Sequence, residues 1–166
     1  MRVPVFLQEL HVPFETMIHP PAFTAQKRAK YLHIPGKQLA KCVLLSGTTG
    51  YVLAVLPATH QVNTAAVGGA LGEPIRLAED RELAEVFPDC EWGALAPFGT
   101  LYGVRTILED SIDPEAWMVF QAQAHAVAIR MRCRDFERLE KPRRFAFSLP
   151  QGKTEGGGAS RDKGNE

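Results

Sequence analysis

Apolar runs and polar turns alternate along the chain in a pattern that predicts strands and helices in turn. Two apolar runs, residues 39–45 and 51–56, flank the turn-rich segment SGTTG, which predicts an antiparallel hairpin with a five-residue loop. Both strands are apolar on both faces, which indicates that they lie inside a sheet. Further strands are predicted, in chain order, at residues 75–78, 101–108, 117–121 and 126–133.

Helical spacing and capping residues predict four helices around these strands. Thr24 is the expected N-cap of a helix over residues 25–33, which Pro35 then ends. The inner face of that helix is predicted to carry Ala25, Ala29 and Leu32. Asn63 caps a second helix through Leu71, and two more are predicted at residues 79–87 and 135–140. Because helices interleave with strands while the hairpin is antiparallel, we expect an α/β fold with a mixed sheet.

Length and charge limit what this fold can be. The 166 residues suit one domain, expected at residues 1–150, and a flexible tail, 151–166, that has no large apolar side chain. Nineteen basic and nineteen acidic residues give a net charge of zero, which excludes a protein held to nucleic acid or a membrane by bulk charge. A local basic patch is still allowed. Residues 128–146 hold seven basic and three acidic side chains, either a basic strip for a few phosphates or a solvated face.

The cysteines and the N-terminus indicate an intracellular protein. Three cysteines without a close pair argue against a disulfide framework and for a reducing cytoplasm. The segment MRVPVFLQEL lacks the unbroken apolar core of a signal peptide, and no apolar run approaches the roughly 20 residues that span a bilayer. We therefore expect a cytoplasmic location and no membrane partner.

Lys41 is the most informative single residue of the sequence. It shares a strand face with Leu39, Val43 and Leu45, in a strand that is apolar on both sides. Such a lysine must reach water at a rim, pair with a carboxylate or point into a polar pocket. The sequence alone leaves the rim and the pocket equally open.

A second candidate feature is the glycine- and proline-rich loop made by Gly93, Ala94, Leu95, Ala96, Pro97, Phe98 and Gly99. Its glycines allow unusual backbone angles, and its proline stiffens the middle. A stiff loop of this kind can aim backbone N–H groups at a carbonyl or carboxylate oxygen. By itself, the pattern fits a tight surface turn better.

Other chemistries lack their motifs. The five histidines, at positions 11, 19, 33, 60 and 125, form no H-E-x-x-H pair and no C-x-x-C accompanies them, so we expect no metal site. Nucleophile-elbow, P-loop and dinucleotide fingerprints are also absent from the sequence, and we expect no cofactor. Cys42, next to Lys41, is better explained as a small buried hydrophobe than as a nucleophile.

Taken together, these segments resemble the YbaK/EbsC family of aminoacyl-tRNA deacylases, relatives of the editing domain inserted in bacterial prolyl-tRNA synthetases. The resemblance runs from about Val3 to Leu139. The motifs that carry it are HPPAFTA, which contains His19, Phe23, Thr24 and Ala25, then GKQLAKCVLL, YVLAVLPA, FPDCEWGALAPFG and AIRMRCRDFERL.

The resemblance implies a curved, barrel-like sheet around a pocket, and hydrolysis of the ester that joins a wrong amino acid to tRNA. It implies that Lys41 is catalytic, and that the Gly93–Gly99 loop, His19, Thr24 and His125 bind the substrate. The partner would be the acceptor end of an aminoacyl-tRNA, such as Cys- or Ala-tRNA(Pro), with a synthetase as a second partner and no role for DNA. An aminoacyl ester is already activated, so water can attack it without a protein nucleophile. The resemblance implies that the 2′-OH or amino group of the substrate helps to position that water.

One segment departs from the family pattern. Many relatives have a glycine-containing turn where this chain reads Gln121-Ala122-Gln123-Ala124-His125. The change leaves open which amino acid is removed. It also keeps open a non-catalytic module of the same fold that binds tRNA or a synthetase. A third alternative, independent of this segment, is a hydrolase of an unrelated small ester or amide.

Overall fold

The computed structural model describes residues 1–22 and 25–151, without the side chains of Ala25 and Gln26. Phe23, the predicted cap and substrate-binding residue Thr24, and residues 152–166 of the predicted tail lie outside the described residues. The helices are α1 (Val3–Glu9), α2 (Ala25–Leu32), α3 (Thr64–Leu71), α4 (Asp80–Val86) and α5 (Cys133–Glu140). The strands are β1 (Glu15–Ile18), β2 (Ala40–Gly47), β3 (Gly50–Pro57), β4 (His60–Val62), β5 (Arg76–Leu77), β6 (Arg105–Glu109), β7 (Trp117–Gln121), β8 (Val127–Arg132), β9 (Arg143–Phe145) and β10 (Ser148–Pro150).

The predicted class, a mixed α/β single domain, is confirmed. The largest sheet has the order β5-β2-β3-β6-β9, in which β2 pairs antiparallel with β3, and β6 pairs parallel with both β3 and β9. A second sheet, β1-β8-β7, is antiparallel, and β4 pairs with β10. The strands of the described chain form three separate sheets and do not close into a barrel. No helix in this part of the chain is long and apolar enough to cross a membrane.

The two larger sheets meet where β2 begins. Leu39, just before β2, bridges to Val119 in the middle of β7, and both side chains are buried. This junction brings the first residues of β2 beside the end of β7. It therefore places Lys41, the second residue of β2, between the two sheets rather than on an outer surface.

Local signals predicted several elements well. The predicted hairpin forms, but its strands continue through the pair Gly47–Gly50, so the loop is only Thr48–Thr49 instead of five residues. The Asn63 side chain accepts a hydrogen bond from the Ala66 N–H at the start of α3, as a capping residue should.

The predicted strand over residues 101–108 starts later, at Arg105. A 3₁₀ turn over Gly99–Tyr102 precedes it, and Gly103 ends that turn in the left-handed conformation at φ +69°. Helix α1 and strands β1, β4, β9 and β10 were not predicted, because each is short and most pair with distant parts of the chain.

Phe98 lies at the centre of the main core. Its ring contacts Phe6 of α1, Phe120 of β7 and Phe136 of α5 edge-on, with centroids 5.3–5.7 Å apart. Edge-to-face contacts of this kind add to the free energy of burying the rings themselves. The core therefore anchors the glycine- and proline-rich loop through Phe98, the residue before its last glycine.

Candidate active site

Lys41 lines a cavity of about 190 Å³ at the junction of the two sheets. We call it the Lys41 cavity; its walls are Arg28, Ala40, Lys41, Cys42, Gly93, Leu95 and Gln121. Lys41 is half-buried and makes no hydrogen bond or ion pair with any residue that the structure describes. Burial lowers the pKa of Lys41 below its ordinary value, because its neighbours do not replace the lost water. Of the two interpretations left open by the sequence, this geometry favours the pocket.

Arg28 of α2 supplies a second cation to the same cavity. The side chain is only 6% exposed, and its Nη2 donates to the carbonyl oxygen of Ala22 at 3.1 Å. Its Nε is buried without a hydrogen-bond partner among the described residues. Desolvation lowers the pKa of Arg28, but an arginine stays charged in proteins. Because none of the described residues that line the cavity is acidic, these walls carry net positive charge.

Two backbone N–H groups of the predicted loop are free beside these cations. Gly93 and Leu95 line the cavity, and neither N–H donates to another described residue. The alternate residues turn inward: Ala94 N–H donates to the Glu91 carbonyl oxygen, and Ala96 N–H bonds to the Cys90 thiol. The N–H groups of Ala94 and Ala96 thus bond inward, while those of Gly93 and Leu95 have no partner in the described chain at two residues that line the cavity. Such a pair of donors is suited to an anion.

The rest of the predicted loop supports this arrangement from the interior. Ala94, Ala96, Pro97, Phe98 and Gly99 are buried and do not line the cavity. Gly99 N–H donates to the Thr106 hydroxyl, and Phe98 lies in the aromatic cluster of the core. Only Gly93 and Leu95 are therefore placed to touch a bound molecule directly.

His125 lies next to the loop and is hydrogen-bonded to the residue that precedes it, Trp92. The His125 ring is 2.6 Å from the Trp92 carbonyl oxygen, so Nε2 carries the proton and donates. The His125 backbone N–H donates to Glu91 at 2.8 Å. A Cβ built on Gly93 would be 3.8 Å from the His125 ring, which places the imidazole directly behind the first residue of the loop. The residue is therefore placed to orient the loop, and it does not line the cavity.

His19, the other predicted histidine, is buried beside the same turn. It is 6% exposed, its Nδ1 is 2.8 Å from the Pro20 carbonyl oxygen, and its Nε2 lacks a hydrogen-bond partner among residues 1–22 and 25–151. Its backbone N–H donates to Ala126, next to His125. His19 does not line the Lys41 cavity.

Gln123 explains how the segment without glycine keeps its turn. Its φ is +70°, a conformation that normally favours glycine, and the residue is fully buried. The side chain donates to the Tyr102 hydroxyl at 2.6 Å and accepts from the Val3 N–H at 3.1 Å. These bonds offset the backbone strain and connect the turn to α1. The neighbouring Gln121, also buried, is the member of the segment that lines the cavity.

The thiols beside the site are not nucleophiles. Burial raises the pKa of Cys42 far above its ordinary value, and the nearby Cys90 and Glu140 raise it further. Burial also raises the pKa of Cys90. Since the thiolate is the reactive form, both residues are neutral and unreactive near pH 7. Within the described chain no three His, Cys, Asp or Glu side chains group as a metal site would require.

The arrangement is suited to bind an oxyanion. Among the described residues, two cations and two loop residues with unpartnered N–H groups line one small cavity, and no carboxylate or activated thiol is among its walls. Donors fixed in this way stabilise negative charge without having to reorganise when it develops. Sequence reasoning found Lys41 and the loop but missed Arg28, although Arg28 is four residues before Leu32 on the predicted inner face of α2.

The chain resembles known proteins in sequence and in fold. A family model described as "Aminoacyl-tRNA editing domain" matches residues 19–139, most of the chain. Proline--tRNA ligase of Thermosipho africanus (strain TCF52B) is 27% identical over 92 residues. That match covers 55% of this chain, and the chain spans only 16% of the ligase.

Solved structures share the fold. "Hypothetical protein APE2540" superposes with a TM-score of 0.83 at 14% identity, over 90% of this chain and all of that one. A structure named as a candidate trans-editing enzyme for prolyl-tRNA synthetase superposes with a TM-score of 0.72 at 17% identity, over 82% of this chain and 87% of that one. At these identities the structures show a common fold, whereas the family model covers both the Lys41 strand and the loop. The chain therefore belongs to the aminoacyl-tRNA editing domain family.

Proposed function

We propose that the protein is a trans-editing aminoacyl-tRNA deacylase, which hydrolyses the ester between tRNA and a mischarged small amino acid. The observation that carries this proposal is that the Lys41 ammonium group, which has no partner among the described residues, shares a cavity with Gly93 and Leu95, whose N–H groups also have no described partner. A cation beside two backbone N–H donors is the arrangement that stabilises the oxyanion of ester hydrolysis.

The proposed reaction needs no covalent intermediate. Water attacks the ester carbonyl carbon, and the carbonyl oxygen becomes an oxyanion held by the two N–H groups and Lys41. The bond from carbon to the ribose oxygen then breaks, and the ribose oxygen takes up a proton. That proton comes from the water through the neutral amino group of the substrate, or through the 2′-OH, which donates its own hydrogen as it accepts the one from water. The products are the free amino acid and the tRNA with its terminal hydroxyl restored. Arg28 stays outside the chemistry and holds the phosphate of the terminal nucleotide.

The size of the Lys41 cavity supports a small amino acid as the substrate. Its volume of about 190 Å³ is below the roughly 300–1,000 Å³ of pockets for drug-sized ligands. The side chains of Ala40, Cys42 and Leu95 give it partly apolar walls. Alanine and cysteine fit this description, and the relation to a proline--tRNA ligase supports tRNA(Pro) as their carrier. The proposal also includes a synthetase as a possible partner, and a cytoplasmic location, where charged tRNA is used.

Deacylation of a panel of mischarged tRNAs tests the proposal. We expect hydrolysis of Ala- or Cys-tRNA(Pro) well above the rate in buffer, and little hydrolysis of correctly charged Pro-tRNA(Pro). Lys41→Met keeps the aliphatic stem and removes the charge, and we expect it to lower kcat by about 10²–10³-fold. Lys30→Ala, which removes an exposed lysine of α2, is the matched control and should keep full activity.

Three results would contradict the proposal. Saturable tRNA binding without turnover would identify the non-catalytic module. Turnover of a free amino-acid ester but of no aminoacyl-tRNA would indicate a hydrolase of unrelated small esters. Full activity of a folded Lys41→Met protein would remove Lys41 from the mechanism.

A further inference from the structure

A second and larger cavity lies at the other end of the junction between the two sheets. It measures about 350 Å³, and its walls include Lys37, Ala40, His60, Ser111 and Trp117. We call it the Trp117 cleft. Ala40 lines both this cleft and the Lys41 cavity, so the two adjoin at a single residue. The two sites are therefore close enough for neighbouring units of one chain molecule.

The indole of Trp117, which lines the cleft, packs against two guanidinium groups. The central carbons of Arg130 and Arg132 are 4.3 and 4.2 Å from its ring centroid. The pairing of β7 with β8 causes this arrangement, because Arg132 is directly opposite Trp117 and Arg130 is two residues away on the same face. Two like charges at one ring repel each other, and the electron-rich face of the indole offsets part of that repulsion.

Most of this positive charge is not neutralised within the described part of the chain. Arg132 donates to the Glu115 backbone carbonyl oxygen at 3.3 Å and forms no ion pair there. Lys37 is exposed and forms neither a hydrogen bond nor an ion pair with a described residue. Arg130 is paired with Glu15 at 3.3 Å, but that carboxylate is itself 60% exposed. One acidic residue, Asp113, lines the cleft, and its carboxylate accepts the Glu115 N–H.

We propose, building on the function proposed above, that the Trp117 cleft is a subsite for single-stranded RNA. It takes the nucleotide that precedes the terminal adenosine of the tRNA acceptor end. The ribose and base lie in the cleft beside the Trp117 ring, against which the two guanidinium groups pack, and the phosphate contacts Arg132 and Lys37. Arginine, lysine and an aromatic wall are the groups that bind single strands with little sequence preference. A local patch of this size also fits a chain whose net charge is zero.

The two tryptophans of the chain allow the cleft to be observed separately. Trp92 lies beside Gly93 and is 69% exposed, whereas Trp117 lines the cleft. In a Trp92→Phe background, Trp117 is the sole indole. We expect titration with the RNA trinucleotide CCA to change its emission in a saturable way.

Charge-removing variants in that background test the assignment. Arg132→Gln and Lys37→Gln should each weaken binding of the trinucleotide about tenfold. Each should also lower the slope of log K against log salt by about 0.7, the value for one lost contact with a single strand. Arg138→Gln removes an equally charged but exposed side chain of α5 and should change neither quantity.

Activity measurements separate this inference from the proposed function. Arg132→Gln and Lys37→Gln should raise the KM for aminoacyl-tRNA and leave hydrolysis of an aminoacyl-adenosine ester unchanged, because the ester lacks the preceding nucleotide. If the wild-type protein binds CCA at Trp117 but hydrolyses no ester, the subsite stands and the deacylase proposal fails. If it hydrolyses aminoacyl-tRNA while both variants bind CCA as tightly as Arg138→Gln, the deacylase stands and the subsite is wrong.

Discussion

The imidazole of His125 donates a hydrogen bond of 2.6 Å to the carbonyl oxygen of Trp92, immediately before the loop residue Gly93. The bond connects the turn after β7 to the loop whose N–H groups line the Lys41 cavity. His125 itself does not line that cavity, so any effect it has on catalysis must act through the position of Gly93.

We therefore expect His125 to be a positioning residue. His125→Ala should lower kcat about 10–100-fold with a smaller change in KM, because a displaced loop weakens the transition state more than substrate binding. His125→Gln, which can still donate to the carbonyl, should recover most of the rate. Steady-state kinetics of both variants measures this, with His33→Asn as a control at an exposed histidine. Equal losses in the Ala and Gln variants would show that the hydrogen bond has no such role.

The lowered pKa of Lys41 predicts an alkaline limit to activity. Burial lowers this pKa, so the ammonium form is complete at low pH and is lost as the pH rises through a value below 10.5. The enzyme-dependent part of kcat/KM should therefore fall in that range, after subtraction of spontaneous ester hydrolysis. Lys41→Arg stays charged to much higher pH and should move the fall upward or remove it. A profile that is identical in wild type and Lys41→Arg would contradict a cationic role for Lys41.

Prediction from sequence succeeded where the cause is local. Helix α3 has its cap at Asn63 and its stop at Gly72, and both signals are present in a few consecutive residues. Lys41 was identified because a charged residue in an apolar strand needs an explanation wherever the strand lies. The described strands do not form the barrel-like sheet that was expected, and β6 starts later than predicted. Both features depend on contacts between distant strands, which local sequence signals do not show.

The loop shows the limit of a motif more clearly. The whole segment from Gly93 to Gly99 was expected to bind the substrate, yet only Gly93 and Leu95 reach the cavity. Every residue from Gly93 to Gly99 is small or apolar, so the sequence does not distinguish the two residues that line the cavity from the five that pack inward. Arg28 was missed for a related reason, because the inner face of the helix over residues 25–33 was assigned from its apolar residues alone.

Gln123 gives a prediction about stability. Gln123→Gly suits the backbone at φ +70° but loses the bonds to Tyr102 and Val3, whereas Gln123→Ala loses the bonds and keeps the strain. Both variants should have a lower free energy of unfolding than wild type. The free energy of unfolding of Gln123→Gly should be about 1 kcal/mol higher than that of Gln123→Ala. Urea unfolding at pH 7 measures the difference. An Ala variant as stable as the Gly variant would show that the backbone at this position relaxes.

Glu82 predicts how stability depends on acid. Its carboxylate accepts two hydrogen bonds of 2.8 Å from Arg76, one from the Glu79 N–H and one from Tyr51, and these hold its pKa at about 2 against an ordinary 4.5. The unfolded chain therefore binds this proton more readily than the folded chain between those values. The stabilisation is complete above about pH 4.5 and is lost as the pH falls toward 2.

Replacing Glu82 should remove that part of the pH dependence. Glu82→Gln is expected to lower the free energy of unfolding at pH 7 and to flatten its fall between pH 5 and pH 2, measured by urea unfolding at a series of pH values. Glu85→Gln, at an exposed position of the same helix, should leave the curve nearly unchanged. Parallel curves for wild type and Glu82→Gln would mean that other carboxylates cause the acid sensitivity.

Two glycines give opposite expectations for the same substitution. A Cβ on Gly99 would lie closer than 3.0 Å to the Thr106 hydroxyl and to the backbone carbonyl of Val104, so Gly99→Ala must displace the end of the loop. Gly69, on the open side of α3, has no atom within 4 Å of its added Cβ, and Gly69→Ala should stabilise the helix by about 0.5–1 kcal/mol. The midpoint temperature of thermal unfolding should therefore fall for Gly99→Ala and rise for Gly69→Ala. The displaced segment continues into Gly93 and Leu95. Gly99→Ala should therefore also lose deacylation activity at temperatures where it is still folded. Full activity at those temperatures would show that the two ends of the loop move independently.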